Sequence, residues 1–125
     1  MKKSYKEYLE NITTFVFDVD GVFTDGSLLI DSKGELLRKM SVKDGYALKT
    51  ALVKGYNVCI ITGGTNEGVR SRLTGLGVKD IYLGAHHKEQ PFLEYLEKQA
   101  IAAENVLYMG DDLPDIPPMR LAGLP

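Results

Sequence analysis

Cysteine is nearly absent from this chain: the only one, Cys59, stands inside the apolar run Val58-Cys59-Ile60-Ile61. No internal disulfide can form, and the thiol reads as a small core residue, a pattern that suits a reducing, cytoplasmic setting. An excess of one charge is missing as well. The formal net charge is -2, which provides no basic field to hold nucleic acid or an acidic membrane surface. Long hydrophobic runs are missing too. Nothing approaches the roughly 18 apolar residues of a membrane span. The amino-terminal stretch Met1-Lys2-Lys3-Ser4-Tyr5-Lys6-Glu7-Tyr8 has basic residues but no apolar core of an export signal. Neither export nor a membrane partner is expected. No repeat, low-complexity segment or linker interrupts the 125 residues, so one domain over 1–125 is expected. With 44% hydrophobic and 26% charged residues, it has the composition of a chain that buries its own core without staples.

The most informative segment present is Phe15-Val16-Phe17-Asp18-Val19-Asp20-Gly21-Val22-Phe23-Thr24-Asp25-Gly26. An apolar run ends in two carboxylates two residues apart, and a glycine-containing turn follows. A buried strand ending this way projects both carboxylates toward the same side. In an open parallel sheet that place is the crevice beyond the strand's carboxyl end, where ligands bind. Two carboxylates so close repel unless a cation or a shared proton intervenes, so the spacing points to a metal site combined with an acid/base pair.

Four apolar runs read as buried parallel strands: Phe15 to Phe17, Val58 to Ile61, Ile81 to Leu83, and Val106 to Met109. Helical periodicity fills the gaps. Ala47, Leu48, Ala51 and Leu52 share a face, with Asp44 at an N-cap or in a first turn and Gly55 as the stop. Val69, Leu73 and Leu76 recur at i, i+4, i+7 before Gly77. Leu93, Leu96 and Ala100 mark the third helical face, and Pro91 is tolerated in its first turn. The alternation predicts a doubly wound, Rossmann-like α/β fold with a parallel sheet. One insertion interrupts it: residues 26–40 read as a β-hairpin turning at Asp31-Ser32-Lys33-Gly34. A short helix is expected from near Pro114. The chain then ends at Gly123-Leu124-Pro125, where a further strand is expected, as though a C-terminal tail were missing.

Each strand is followed by polar residues of a distinct kind. Asp18 and Asp20 follow the first. Thr62-Gly63-Gly64 follows the second, offering a hydroxyl and glycine amides to an anion. Lys88 stands near the start of the third helix, and Gly110-Asp111-Asp112-Leu113-Pro114-Asp115 follows the fourth strand. Five carboxylates converging on one crevice require a cation, and an all-oxygen donor set with few protein ligands selects Mg²⁺. Lys88 and Thr62 beside that cation make a phosphate site. His86 and His87 read as polar loop residues, and Arg70 as a solvated side chain.

Taken together, Asp18-x-Asp20-Gly21-Val22-x-Thr24-Asp25-Gly26, Thr62-Gly63, Lys88 and Gly110-Asp111-Asp112-x-x-Asp115 resemble the four motifs of the haloacid dehalogenase superfamily of phosphatases, over Phe15 to about Ala122. The hairpin in place of a cap domain, and Arg72 ten residues after Thr62, resemble its capless subgroup. That subgroup acts on phosphates of eight-carbon and nine-carbon 3-deoxy-2-keto sugar acids, the former in making a lipopolysaccharide sugar.

The resemblance implies that Asp18 attacks phosphorus to form an aspartyl phosphate. Asp20 then protonates the leaving oxygen and activates water, while Thr62, Gly63 and Lys88 hold the phosphoryl oxygens. It implies Mg²⁺ on Asp18, Asp111 and the main-chain carbonyl of Asp20, with Asp112 and Asp115 behind them. Arg72 would grip the substrate carboxylate by a forked contact. It implies a cytoplasmic homotetramer whose hairpins cover neighbouring sites, and a tail that reaches a neighbour's site. Many octulosonate phosphatases carry a basic residue where this chain has Gly64, and nine-carbon-sugar phosphatases place a charged pair at positions matching Gly64 and Gly75. Both are glycine here, which favours the eight-carbon acid over the nine-carbon one. A catalytically idle tetramerisation module of the same fold is the third alternative. A receiver-type signalling domain fails on order, because the third apolar run ends in Leu83-Gly84-Ala85 rather than in a phosphoacceptor aspartate.

Overall fold

Strand β1 (Thr14–Phe17) lies between β4 (Asn57–Ile61) and β6 (Val106–Met109), and β5 (Asp80–Tyr82) pairs with the outer edge of β4. All these pairings are parallel. The order β5-β4-β1-β6 is that of the predicted doubly wound sheet. The computed structural model describes residues 3–125. Burial on both faces explains the uninterrupted apolar strands. Val16, Cys59, Ile61, Val106 and Tyr108 face one core with Phe92, Tyr95 and Leu96. Val58 and Ile60 face a second core with Leu48, Val69, Leu73 and Val78. Cys59 is fully buried, and burial pushes its thiol up, as befits a packing residue.

Helices α2 (Val42–Val53) and α3 (Glu67–Gly75) contribute to the second core, and α4 (Glu89–Gln99) to the first. The cap of α2 is Ser41, whose side chain accepts from the Lys43 amide, and Asp44 lies in the first turn. Gly55 and Gly77 take the left-handed conformation after their helices, at φ +92° and +103°, where a side chain would be strained.

The face of α4 differs from the predicted one. Phe92, Tyr95 and Leu96 are buried, whereas Leu93 is 47% exposed and Ala100 is the left-handed C-cap at φ 54°. The aromatic residues decide it: Phe92 meets Tyr108 edge-on, with ring centroids 5.7 Å apart. Helix α1 (Tyr5–Leu9), which the apolar pattern does not announce, is nucleated by a capping box between Ser4 and Glu7.

The insertion forms an antiparallel hairpin of β2 (Leu29–Ile30) and β3 (Leu36–Leu37), with Leu29 opposite Leu37 and Ile30 opposite Leu36. Its turn closes on Asp31, whose Oδ1 accepts from the amides of Lys33 and Glu35 at 2.8 and 2.9 Å. All four strand residues are exposed. After β6, a 3₁₀ turn (Leu113–Asp115) leads into α5 (Ile116–Leu121). Leu124 then pairs in parallel with Leu107, donating to Val106 O at 3.0 Å and accepting from the Tyr108 amide at 2.9 Å. The sheet is thereby extended beyond β6. No helix among the described residues is long and apolar enough to cross a membrane.

Candidate active site

Because the four long strands are parallel, their carboxyl ends open on one side, and there the side chains marked by the sequence line a cavity of about 460 Å³. Asp18, Asp20, Thr62, Gly63, Lys88, Asp111 and Asp112 all face it, together with His86, whose sequence context predicts only a polar loop residue.

Lys88 holds the floor. Its Nζ lies 3.0 Å from Asp18 Oδ2 and 2.8 Å from Asp115 Oδ1, with side-chain exposures of 3%, 8% and 0% for the three residues. A buried ammonium between two carboxylates is tolerable only because each charge has partners. Asp18 Oδ1 also accepts from the Val19 amide at 2.7 Å. Burial pushes the Asp18 carboxyl up from its ordinary value, and the hydrogen bond and charge of Lys88 oppose that rise.

Asp115 is more completely engaged. Its Oδ1 accepts from the Tyr108 hydroxyl at 2.9 Å as well as from Lys88, and its Oδ2 accepts from the amides of Asp111 and Asp112 at 3.2 and 3.3 Å. Burial, and then the charge of Asp115, push the Tyr108 phenol up, so it stays a donor. Tyr108→Phe is expected to cost about 2 kcal/mol of unfolding free energy, the scale of a hydrogen bond to a charged group. Urea titration checks it. An unchanged midpoint would show that the hydroxyl bond is not stabilising.

Oxygens of Asp18, Asp111 and Asp115 all lie within 4.8 Å of one another. The contacts of Asp115 with Lys88, Tyr108 and two amides leave Asp18 and Asp111 as the carboxylates better placed to meet a cation. One lysine does not neutralise three carboxylates, and an all-oxygen set of this size fits a hard divalent ion. Gly21, at φ +82°, lets the Asp111 carboxylate approach, since a Cβ there would collide with it.

Thr62 is buried at the end of β4, and its hydroxyl lies 3.4 Å from the Gly64 amide while its carbonyl accepts from the Ala85 amide at 2.9 Å. Asp112 caps the 3₁₀ turn, accepting from the Leu113 amide at 2.7 Å. Arg72 is not among the residues lining this cavity. It lines a separate cleft with Leu37, Arg38 and Met40. Arg70 pairs with Glu67 at 3.1 Å and reaches Ile81 O at 3.3 Å.

Besides His86, two residues of the site carry no mark in the sequence. Tyr108 sits in an apolar strand and looks like core until its hydroxyl finds Asp115. Arg38, at the end of the hairpin, donates from Nε and Nη2 to Asp20 Oδ1 and Oδ2, both at 3.0 Å, with its own side chain only 6% exposed. Nothing local distinguishes it from Lys39 beside it.

No family model matches the chain. It is 44% identical over 115 residues to the 3-deoxy-D-manno-octulosonate 8-phosphate phosphatase of Escherichia coli K12, covering 92% of this chain and 61% of that protein. The chain thus spans about three-fifths of the length of that curated relative. Among solved structures it resembles the enzyme of the same name from Moraxella catarrhalis in complex with magnesium, phosphate and KDO. That match has a TM-score of 0.88 and 32% identity, covering 94% of this chain and 67% of that one. A HAD superfamily (subfamily III A) hydrolase from Legionella pneumophila superposes with a TM-score of 0.89 at 35% identity, covering 94% of this chain and 64% of that one.

Proposed function

The chain belongs to the haloacid dehalogenase superfamily, and from that premise we propose that it is a Mg²⁺-dependent phosphomonoesterase of 3-deoxy-D-manno-octulosonate 8-phosphate, releasing the free sugar acid and phosphate. The observation that carries this reading is Lys88, buried between Asp18 and Asp115 on the floor of a cavity that Thr62 and Asp111 also face.

Asp18 is the nucleophile. Its Oδ forms the bond to phosphorus while the bond to the sugar oxygen breaks, giving an aspartyl phosphate. Asp20 gives a proton to the departing oxygen, then takes one from the water that attacks the aspartyl phosphate and frees inorganic phosphate. Lys88, the Thr62 hydroxyl and the Gly63 amide hold the phosphoryl oxygens where charge builds up. Lys88 also steadies Asp18 for attack, and Asp115 with Tyr108 steadies Lys88. Asp18, Asp111 and the main-chain carbonyl of Asp20 would hold Mg²⁺, which supplies positive charge against the phosphoryl oxygens. Asp112, which also faces the cavity, would orient groups around that ion.

The described residues are read as one phosphatase domain acting in the cytoplasm. The exposed hairpin leucines are read as the contact that assembles a homotetramer, since an unpaired apolar edge of this kind favours association. Arg72, outside the cavity, is assigned to the substrate carboxylate only in that assembly.

Phosphate release from the eight-carbon and nine-carbon keto-acid phosphates and from hexose phosphates, with Mg²⁺ or with EDTA, tests the proposal. Turnover of the eight-carbon acid is expected to exceed that of the others and to vanish in EDTA. Equal turnover of hexose phosphates would overturn the substrate assignment, and turnover in EDTA would overturn the cofactor. A stable, Mg²⁺-binding chain inactive on every ester would favour the idle assembly module.

A further inference from the structure

We propose that Arg38 is a positioning residue for Asp20, and that Gly64 is the space that admits it. The inference rests on the proton-transfer role proposed above for Asp20. Among the described residues, the hydrogen bonds to the Asp20 carboxylate come from Arg38 alone, one to each oxygen at 3.0 Å. Asp20 itself is 33% exposed in the turn after β1, where a single-point contact would leave it free to rotate. A planar fork fixes both its position and its plane.

The arginine is fixed in turn. Its Nη1 donates to Leu36 O at 2.9 Å, and Asn66, the N-cap of α3, donates to the same carbonyl at 3.1 Å. The hairpin, the head of α3 and the Asp20 turn thus form one connected unit. Gly64 completes it, because a Cβ there would stand 2.8 Å from Arg38 Nη2. The glycine at 64 and the arginine at 38 are therefore one device: a side chain at 64 pushes the guanidinium off Asp20.

The fork holds the ionised Asp20 that takes the proton of the attacking water. Such a transfer depends on donor and acceptor standing within hydrogen-bond reach, so loss of the fork slows that step and lowers turnover without touching the groups that hold phosphate. Arg38→Ala is expected to reduce kcat about tenfold with KM changed by less than about twofold. Gly64→Ala is expected to do the same, and the double variant to lose no more than either single one, because both break one contact. Added guanidinium ion is expected to restore part of the turnover of Arg38→Ala, while Arg38→Lys, which cannot fork, recovers little. Independently of any activity, the Arg38 Nε–H proton resonance is expected to be protected from solvent exchange in the parent chain and to lose that protection in Gly64→Ala and Asp20→Asn.

A kcat for Arg38→Ala within about twofold of the parent would overturn the proposal, as would losses that multiply in the double variant. If the parent chain turns over no ester, the phosphatase reading fails and the assigned role of Arg38 in proton transfer fails with it. The resonance still decides whether Gly64 and Arg38 act as one device on Asp20.

Discussion

Replacing Asp18 with Asn is expected to abolish turnover, by about 10³-fold or more, the scale seen when a covalent nucleophile is removed, while leaving the fold at least as stable. The two effects separate because Asp18 is held at a cost. Burial pushes its carboxyl up, so in the folded chain the ionised form is disfavoured relative to the unfolded one. The contribution of such a group is most favourable below its unfolded pKa and is lost as pH rises through the folded value. The Asn variant, which carries no charge to desolvate, should therefore gain most over the parent near neutrality. That gain should shrink as pH falls through the raised carboxyl range. Thermal melts in EDTA across pH, beside phosphate-release rates with Mg²⁺, check both halves. A variant that keeps turnover removes Asp18 from the chemistry. A variant that unfolds more easily at neutral pH would show that the Lys88 contact outweighs desolvation.

Lys88→Met is expected to damage stability and activity together. The substitution leaves Asp18 and Asp115 buried without their shared cation, a change that costs about 3–5 kcal/mol when one partner of a buried pair is removed. It also removes the charge that the proposed mechanism sets against the phosphoryl oxygens, a loss expected to cost about 10²–10³ in kcat. Combining it with Asp18→Asn should recover more stability than Asp18→Asn gains in the parent, and none of the turnover, since one of the two orphaned charges is then gone. Urea unfolding of the two single variants and the double one measures this. Additive stability changes would show that Lys88 and Asp18 are not energetically coupled.

The sheet could be read from the chain because its strands are buried on both faces and therefore run apolar without interruption. The polar residues at their carboxyl ends then fell on one side of the sheet by geometry alone, which is why Asp18, Asp20, Thr62, Lys88 and Asp111 meet at one cavity. What stayed hidden depends on contacts far apart in sequence. Tyr108 is a core aromatic by pattern, and only the return of Asp115 onto the strand's face gives its hydroxyl a partner. Arg38 reaches Asp20 across 18 positions, and no local periodicity carries that. The face of α4 was misplaced because Leu93 and Ala100 looked as apolar as Phe92 and Tyr95, and volume against β6 decides between them. Arg72 is linked to the site by the family resemblance alone, and among the described residues it lines a neighbouring cleft with Arg38.

The most direct test of the account is to quench the chain in acid during Mg²⁺-supported turnover of the eight-carbon acid phosphate and map the phosphorylated peptide by mass spectrometry. A hydroxylamine-sensitive phosphoryl group is expected on Asp18 and is expected to be absent from Asp18→Asn, as the covalent mechanism requires. Steady turnover with a phosphoryl group on any other residue, or with none on the chain while single-turnover kinetics show direct attack by water, would contradict it.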